Sequence, residues 1–575
     1  MSERPWLSGY PSGVPHSLAP YPERSVYWLL EEAVARFPDA FAVSFFGRRL
    51  RYRELYRQVE QLSRALAWLG VRRGDRVALI LPNCPQFLIA FYAAVRIGAV
   101  PVGTNPLYTE RELAHQLTDA GVQVAIVLDQ FVPKVEAVRE QSGLRTVVVT
   151  GIPDYLPFPI SMLAPIKLRR QARSEGRPWP PVPGSADVVR WRTLMSKALP
   201  DVPAAEVDPV DDAAALLYTG GTTGLSKGAV LTHHNLVSNV LQSVSWFPQL
   251  RPGGEKSLCV LPMFHSYGLL AVNYGIRVGA EMILLPRFDL PEVLKTIASQ
   301  RPTIFPGIPR IYIAINESPA TASHDLSSIR YCFSAAAPLP MAVAEKFEAI
   351  TGGSLVEAYG LTETSPTVCI NPLDGRRKAG TVGLPVPDTT CRIVDPDDWT
   401  RELPSGREGE LAVAGPQVMK GYWGREEETA EVIRVGPDGV RWLLTGDIAR
   451  IDEDGYVTIV DRKKDMIIVS GFNVYPTEVE DILYRHPKIM KVCVVGVPDA
   501  TTGEAVKAYI VLREGQVATA EEIVAFCRDP QTGMAAYRVP RHIEFRDSLP
   551  ETLTGKVLRR TLLEQQGERA AAESR

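Results

Sequence analysis

After an apolar run, Ala213–Leu217, the chain reads YTGGTTGLSKG from Tyr218 to Gly228. Small residues let backbone amides turn toward an anion. Threonine hydroxyls add donors or bind a metal, and Lys227 adds a mobile positive charge. Together Thr219, Gly220, Gly221, Thr222, Thr223 and Lys227 describe a polyphosphate cradle. It is not the common phosphate loop, which needs Gly-Lys followed by Ser or Thr. Here Lys227 follows Ser226 and precedes Gly228. A flexible surface turn is the competing reading.

Further along, SAAAPL (Ser334–Leu339) offers Ala335 and Ala336, side chains small enough for a flat base to approach the backbone. YGLTE (Tyr359–Glu363) sets Gly360 beside a hydroxyl, Thr362, and a carboxylate, Glu363. LLTGDIA puts Asp447 after a strand, where a carboxylate can accept both hydroxyls of a ribose. MFHSYGL sets His265 between a strand and an apolar helix. LPETLTGKVLRR carries Lys556 in a Gly-Lys turn. Taken singly, each has a plain alternative: packing alanines, a helix-start pair, a turn aspartate, a core histidine, an exposed lysine.

In this order the motifs resemble the adenylate-forming superfamily, which includes acyl-CoA synthetases, peptide-synthetase adenylation domains and luciferases. The resemblance covers nearly the whole chain. The usual YTSGTTGxPKG departs here at Gly220, where serine is usual, and at Ser226, where proline is usual. The first change removes a hydroxyl donor and hints at the fatty acyl-CoA synthetases.

The resemblance implies that Tyr359 stacks on adenine, Thr362 meets the α-phosphate region and Glu363 binds Mg²⁺ with Thr219 as a hydroxyl partner. It implies that Arg462, in DRKKD, reaches the nucleotide and that His265 lies near the carboxylate substrate. Lys556 becomes the catalytic lysine, Lys464 the hinge, and Gly471, opening GFNVYPTEVE, the start of a segment lining the coenzyme A tunnel. The expected activity is a carboxylic acid plus ATP and Mg²⁺ giving acyl-AMP, then coenzyme A giving the thioester. YTGGTTGLSKGAVLTHHNL, PMFHSYGL, FPGIPRIY and LLPRFD look like long-chain fatty acid–CoA ligases. Medium-chain or aryl acids stay open, as does transfer to a carrier protein. From another class, a non-catalytic acyl-ligand binder is weighed against the presence of Lys556 and Glu363.

The elements that must position these residues alternate. YRELYRQVEQLSRALAWLG puts Leu55, Val59, Leu62, Leu66 and Leu69 on one helical face, with Gly70 as a stop. RVALIL reads as a buried strand, QFLIAFYAAVRIG as a helix, and VQVAIVL as another strand. Thr109 with Glu112 predicts a capping box. This rhythm predicts an α/β fold of helix-covered mixed and parallel sheets, with ligands beyond strand ends. After about Val386 the pattern turns β-rich, and DIARIDEDGYVTIVDRKK predicts a hairpin. The expected division is an acid- and ATP-binding domain with a small barrel-like subdomain over 1–463, and a mobile α+β domain over 464–575.

Net charge is −3, from 63 basic and 66 acidic residues among 575, which argues against nucleic acid as a partner. Seven dispersed cysteines form no C-x-x-C pair, so neither a disulfide framework nor a zinc site is expected and a cytoplasmic setting fits. The first residues lack the apolar core of a secretion signal. Pro82, Asn83, Pro85 and Arg96 interrupt one greasy stretch; His265, Asn273, Arg277 and Glu281 interrupt the other. Neither reaches about 18 unbroken apolar residues, so no membrane span is expected. Pro157 to Pro183 breaks the rhythm with Lys167, Arg169, Arg170, Arg173 and Arg177. It reads as a solvated excursion, or as a basic arm for peripheral contact at the inner membrane face. A homodimer is allowed.

Overall fold

The computed structural model describes residues 4–174, 187–219, 226–373, 376–470, 472–499, 501–532, 534–551, 557–559 and 561–566. Two sheets form the body of the large domain. In one, strands Thr146–Thr150, Val124–Leu128, Arg76–Ile80, Val100–Gly103 and Ala213–Thr219 run parallel side by side. Lys227–Thr232 joins Ala213–Thr219 antiparallel, and Gly421–Tyr422 closes that edge. The other sheet has Glu281–Leu284, Lys256–Cys259, Ile304–Gly307, Tyr331–Ser334 and Ser354–Gly360 in parallel order.

Period-2 alternation explains how a strand serves two cores. Val77 and Leu79 face one apolar cluster, while Ala78 and Ile80 face another. Helix Tyr52–Trp68 buries Leu55, Val59, Leu62 and Leu66 at helical spacing, each contributing about 1.5–3 kcal/mol. Helix Pro85–Arg96 is buried on every side, because it lies within the largest cluster. The Thr109 capping box forms as expected: its hydroxyl accepts from Glu112 N at 3.3 Å, and Glu112 Oε2 accepts from Thr109 N at 2.8 Å.

The barrel-like part is an antiparallel sheet of Thr390–Val394, Gly409–Ala414, Arg441–Ile451 and Ile433–Val435, with Val457–Arg462 paired on Arg441–Ile451. The hairpin read from EDG is that last pair. Beyond it, Phe472–Val474, Ile467–Val469, Gly503–Leu512 and Ile489–Asp499 are antiparallel neighbours, and His542–Phe545 adds parallel. This small sheet has its own core around Val479, Val494, Ile510 and Ile523. One expectation differs in form: the proline-punctuated excursion contains a helix, Ile160–Ser174. Among the described residues no helix is long and apolar enough to cross a membrane.

Candidate functional site

Several candidate residues sit where buried strands give way to loops, but Asp447, read as following a strand, lies inside strand Arg441–Ile451, because its ladder with Val457–Arg462 continues past it. Ala213–Thr219 is buried along its body and half-exposed at Thr219. Thr219 stands opposite Lys227 in the antiparallel pair, so the glycine–threonine loop joins two adjacent strand ends. Gly220, Gly221, Thr222 and Thr223 lie outside the described residues.

The Lys227 ammonium lies 5.3 Å from the centroid of the Tyr422 ring, and the Tyr422 hydroxyl donates to Glu363 Oε1 at 2.8 Å. Burial, then the neighbouring carboxylate, pushes the Tyr422 phenol up and keeps it a donor. Tyr422 reaches this point because Gly421–Tyr422 pairs with Ala229 and Val230. The main chain locks the arrangement: Met419 N donates to Glu363 O at 2.8 Å. A cation, a phenol, a carboxylate and the strand end bearing Thr219 therefore meet at one place. Tyr422 was not among the residues read from sequence.

Beside Glu363, Thr362 Oγ1 lies 3.2 Å from Ser266 Oγ. Ser266 opens helix Ser266–Val278, and His265 is the extended residue before it. His265 therefore stands one residue from the Thr362 contact. Burial lowers its imidazole to about 4, so it is neutral near pH 7. A neutral ring can donate one hydrogen bond and accept another without adding charge to the site.

Strand Tyr331–Ser334 ends at Ala335 and Ala336, and Ala336 adopts φ 72°. A left-handed alanine costs about 1–2 kcal/mol, so the surrounding contacts must impose it. Glu357 supplies one of them: its Oε1 accepts from Leu339 N at 3.0 Å, tying the alanine loop to strand Ser354–Gly360. Burial raises the Glu357 carboxyl to about 7. Gly360, at the end of that strand, admits no side chain; a Cβ there would meet Pro366 O at 1.8 Å.

Tyr359, Asp447 and Arg462 form one polar unit drawn from three strands. The Tyr359 hydroxyl donates to Asp447 Oδ2 at 2.5 Å, and Arg462 Nε lies 2.6 Å from Asp447 Oδ1. Asp447 and Arg462 are directly opposite in their ladder. Asp447 is 2% exposed, whereas Tyr359 and Arg462 are half-buried. An ionised carboxylate has about four lone-pair positions, so one such group can hold several donors at once.

Next in sequence, the neighbours of Lys464 are tied to opposite domains. Lys463 Nζ donates to Glu410 Oε2 at 2.9 Å and Pro396 O at 2.6 Å in the large domain. Asp465 pairs at 3.4 Å with Arg559 of the small domain. Arg559 also grips Glu480 with two bonds, 2.7 and 2.8 Å, and donates to Val494 O at 3.2 Å. Lys464 itself is exposed.

Lys556 and Gly471 lie outside the described residues. The strands of chain around Lys556 are pinned together, with Glu551 bridged to Val557 and Leu558 N donating to Pro550 O at 2.8 Å. The Glu551 carboxylate pairs with Lys491 within the small domain and lies 3.8 Å from Arg310 of the large one. Glu357 lies outside the motifs, and Glu480 and Glu551 lie within GFNVYPTEVE and LPETLTGKVLRR without having been singled out.

Comparison with known proteins adds three findings. The family described as AMP-binding enzyme matches residues 30–423, and the AMP-binding enzyme C-terminal domain matches residues 478–556. A long-chain-fatty-acid–CoA ligase of Bacillus subtilis is 44% identical over 99% of both chains, and one of Escherichia coli is 39% identical over 97% of both. Among solved structures, ATP-bound MatB from Rhodopseudomonas palustris superposes with a TM-score of 0.79 at 31% identity, covering 94% of this chain and 99% of that one.

Proposed function

We propose that this chain, which belongs to the AMP-binding enzyme family, activates a long-chain fatty acid with ATP to acyl-AMP and then forms acyl-CoA. The observation that carries the reading is likeness without interruption: 44% identity to a long-chain-fatty-acid–CoA ligase across 99% of the chain. The geometry agrees with it. Tyr359, Asp447 and Arg462 form a joined polar unit suited to a nucleoside, and Gly360, next to Tyr359, leads to Thr362 and Glu363.

In the first half-reaction the acid's carboxylate oxygen attacks the α-phosphorus of ATP, and pyrophosphate leaves with the bonding pair. Negative charge accumulates at phosphorus, and the preorganised ammonium of Lys556 stabilises it. Lys227 neutralises the outer phosphates. Neutral His265 borders the acid without repelling or trapping it as an ion pair. Glu363 and the Thr219 hydroxyl would hold Mg²⁺. One carboxylate beside a hydroxyl suits an ion that takes few protein ligands plus phosphate oxygens. When bound, Mg²⁺ supplies charge neutralisation at the phosphates.

In the second half-reaction the coenzyme A thiol, losing its proton, attacks the acyl carbon and AMP leaves. The segment from Gly471 lines the thiol's approach after the small domain turns about Lys464, which places the domain boundary between 463 and 464. The ties of Lys463 to one domain and of Asp465 to the other support this pivot.

The test is a panel of acids, saturated C4 to C18 together with aryl acids, scored by coenzyme A-dependent AMP release. We expect kcat/KM to peak at long chains. Greater activity on aryl or short acids would overturn the assignment of substrate, and no release with any acid would overturn the activity.

A further inference from the structure

The segment that opens helix Ile160–Ser174 leaves large apolar side chains in solvent. Phe158 is 79% exposed, Ile160 51%, Met162 67%, Leu163 62% and Ile166 54%. Large apolar side chains this exposed, and consecutive along one segment, mark an interaction surface rather than scattered surface residues. The β-hairpin tip beside it adds Phe46, 40% exposed. Gly47, next in the chain, has its Cβ direction 3.8 Å from Pro157.

The base of this projection is fixed. Tyr155 and Leu156 are buried in the main core, and Ala164 packs against it. Asp154 is held by Arg192 Nε at 2.5 Å, and its carbonyl accepts from Arg48 at 3.3 Å. The helix is thus seated with its greasy side turned outward.

Charge has a direction along that side. At 100° per residue, Met162, Leu163 and Ile166 fall within the same half of the helix as Arg170 and Arg173. The first turns are apolar, and the later ones present exposed Arg170 and Arg173. From Tyr155 to Ser174 the sequence has four basic residues, Lys167, Arg169, Arg170 and Arg173, and no acidic one. A projecting helix of this kind offers a folded partner no groove. It suits a soft surface that accepts apolar side chains beneath a layer of negative charge.

We propose that Phe158 to Arg173 docks the protein on an anionic phospholipid bilayer. Phe158, Ile160, Met162, Leu163 and Ile166 enter the boundary of headgroups and acyl chains, and Arg170 and Arg173 pair with lipid phosphates. The proposal stands on the exposed helix and not on which acid is activated, and vesicle binding reads it without catalysis.

The full-length chain is sedimented with sucrose-loaded vesicles of dioleoylphosphatidylcholine, alone or with 40% dioleoylphosphatidylglycerol. Partitioning should be at least tenfold stronger on the anionic vesicles and weaken in 0.5 M salt. The double variant Met162→Glu/Leu163→Glu should lose about tenfold or more of the partitioning. Arg170→Glu/Arg173→Glu should lose a similar amount on anionic vesicles only. Both should keep the wild-type melting temperature and pyrophosphate exchange with a soluble short-chain acid. Equal binding to the two vesicle types overturns the proposal, as does wild-type binding by either variant. A shift in sedimentation mass of the free protein, abolished by Met162→Glu/Leu163→Glu without any vesicle binding, overturns it in favour of self-association.

Discussion

The Tyr359–Asp447–Arg462 unit, proposed to face the nucleotide, and the contacts of the small domain with the large one are built on different principles. Tyr359, Asp447 and Arg462 come from strands buried in a common body, and each holds another. The small domain meets that body through a much lighter set. Asp461 Oδ2 accepts from Thr477 N at 2.7 Å, Glu551 lies 3.8 Å from Arg310, and Tyr475 packs with Ile448 and Val460. The contrast suits a pocket that keeps one nucleotide through two reactions, and a partner domain that must let go between them. A rim pair such as Arg310 and Glu551 contributes about 0–1 kcal/mol, so such contacts can be exchanged.

Removing the lysine should separate the two regions most sharply. Lys556→Ala is expected to slow acid-dependent ATP–pyrophosphate exchange by roughly a hundredfold to a thousandfold, and thioester formation from supplied acyl-AMP far less. Equal losses in both assays would erase the distinction. Asp447→Asn attacks the fixed region instead. It should weaken ATP binding by about 10- to 100-fold, as loss of charged hydrogen bonds does, and impair both half-reactions alike; titration calorimetry measures the first effect. A selective loss of adenylation would contradict the role given to the large domain.

Tyr422→Phe removes one hydrogen bond to Glu363 and should raise the KM for MgATP by about tenfold with little change in stability. An unchanged KM would detach Tyr422 from the phosphate region. The last effect is on stability rather than activity, and it depends on pH. Burial raises the Glu357 carboxyl from 4.5 to about 7. The folded state then holds a proton that the unfolded chain has released. The contribution is whole below about pH 4.5 and is lost as pH rises through about 7, in total about 3 kcal/mol at most. Glu357→Gln should flatten this part of the stability profile, read by denaturant melts at pH 4.5, 6 and 8. A profile parallel to wild type would show that Glu357 does not titrate there.

Much of the molecule was legible before its coordinates. Helix Tyr52–Trp68, its apolar stripe and the Thr109–Glu112 box depend on neighbours a few residues away, so pattern alone reveals them. The motif residues were picked out because phosphate, ribose and metal chemistry restrict residue type; the structure joins Glu363 to Tyr422 and Tyr359 to Asp447, and their roles remain those proposed. Glu363 was read, but its partner Tyr422 was not, since 59 residues separate them and only strand pairing joins them. The same holds for Arg559 and Glu480, 79 residues apart. The helix at Ile160–Ser174 was hidden by the prolines around it, and its outward greasy side could not be known until the core it leaves uncovered was in place.

If the small domain turns about Lys464 as proposed, the shortness of the joint matters as much as its freedom to rotate. With Lys463 tied to one domain and Asp465 to the other, only a single residue spans the gap. A connector that short acts as a pin and not as a tether. Under the proposed mechanism turning would cost little, but the two bodies could not drift apart, so each face of the small domain would stay at high effective concentration over the proposed nucleotide site. Lengthening the joint by a few glycines would preserve every contacting residue and still dilute the enzyme against itself.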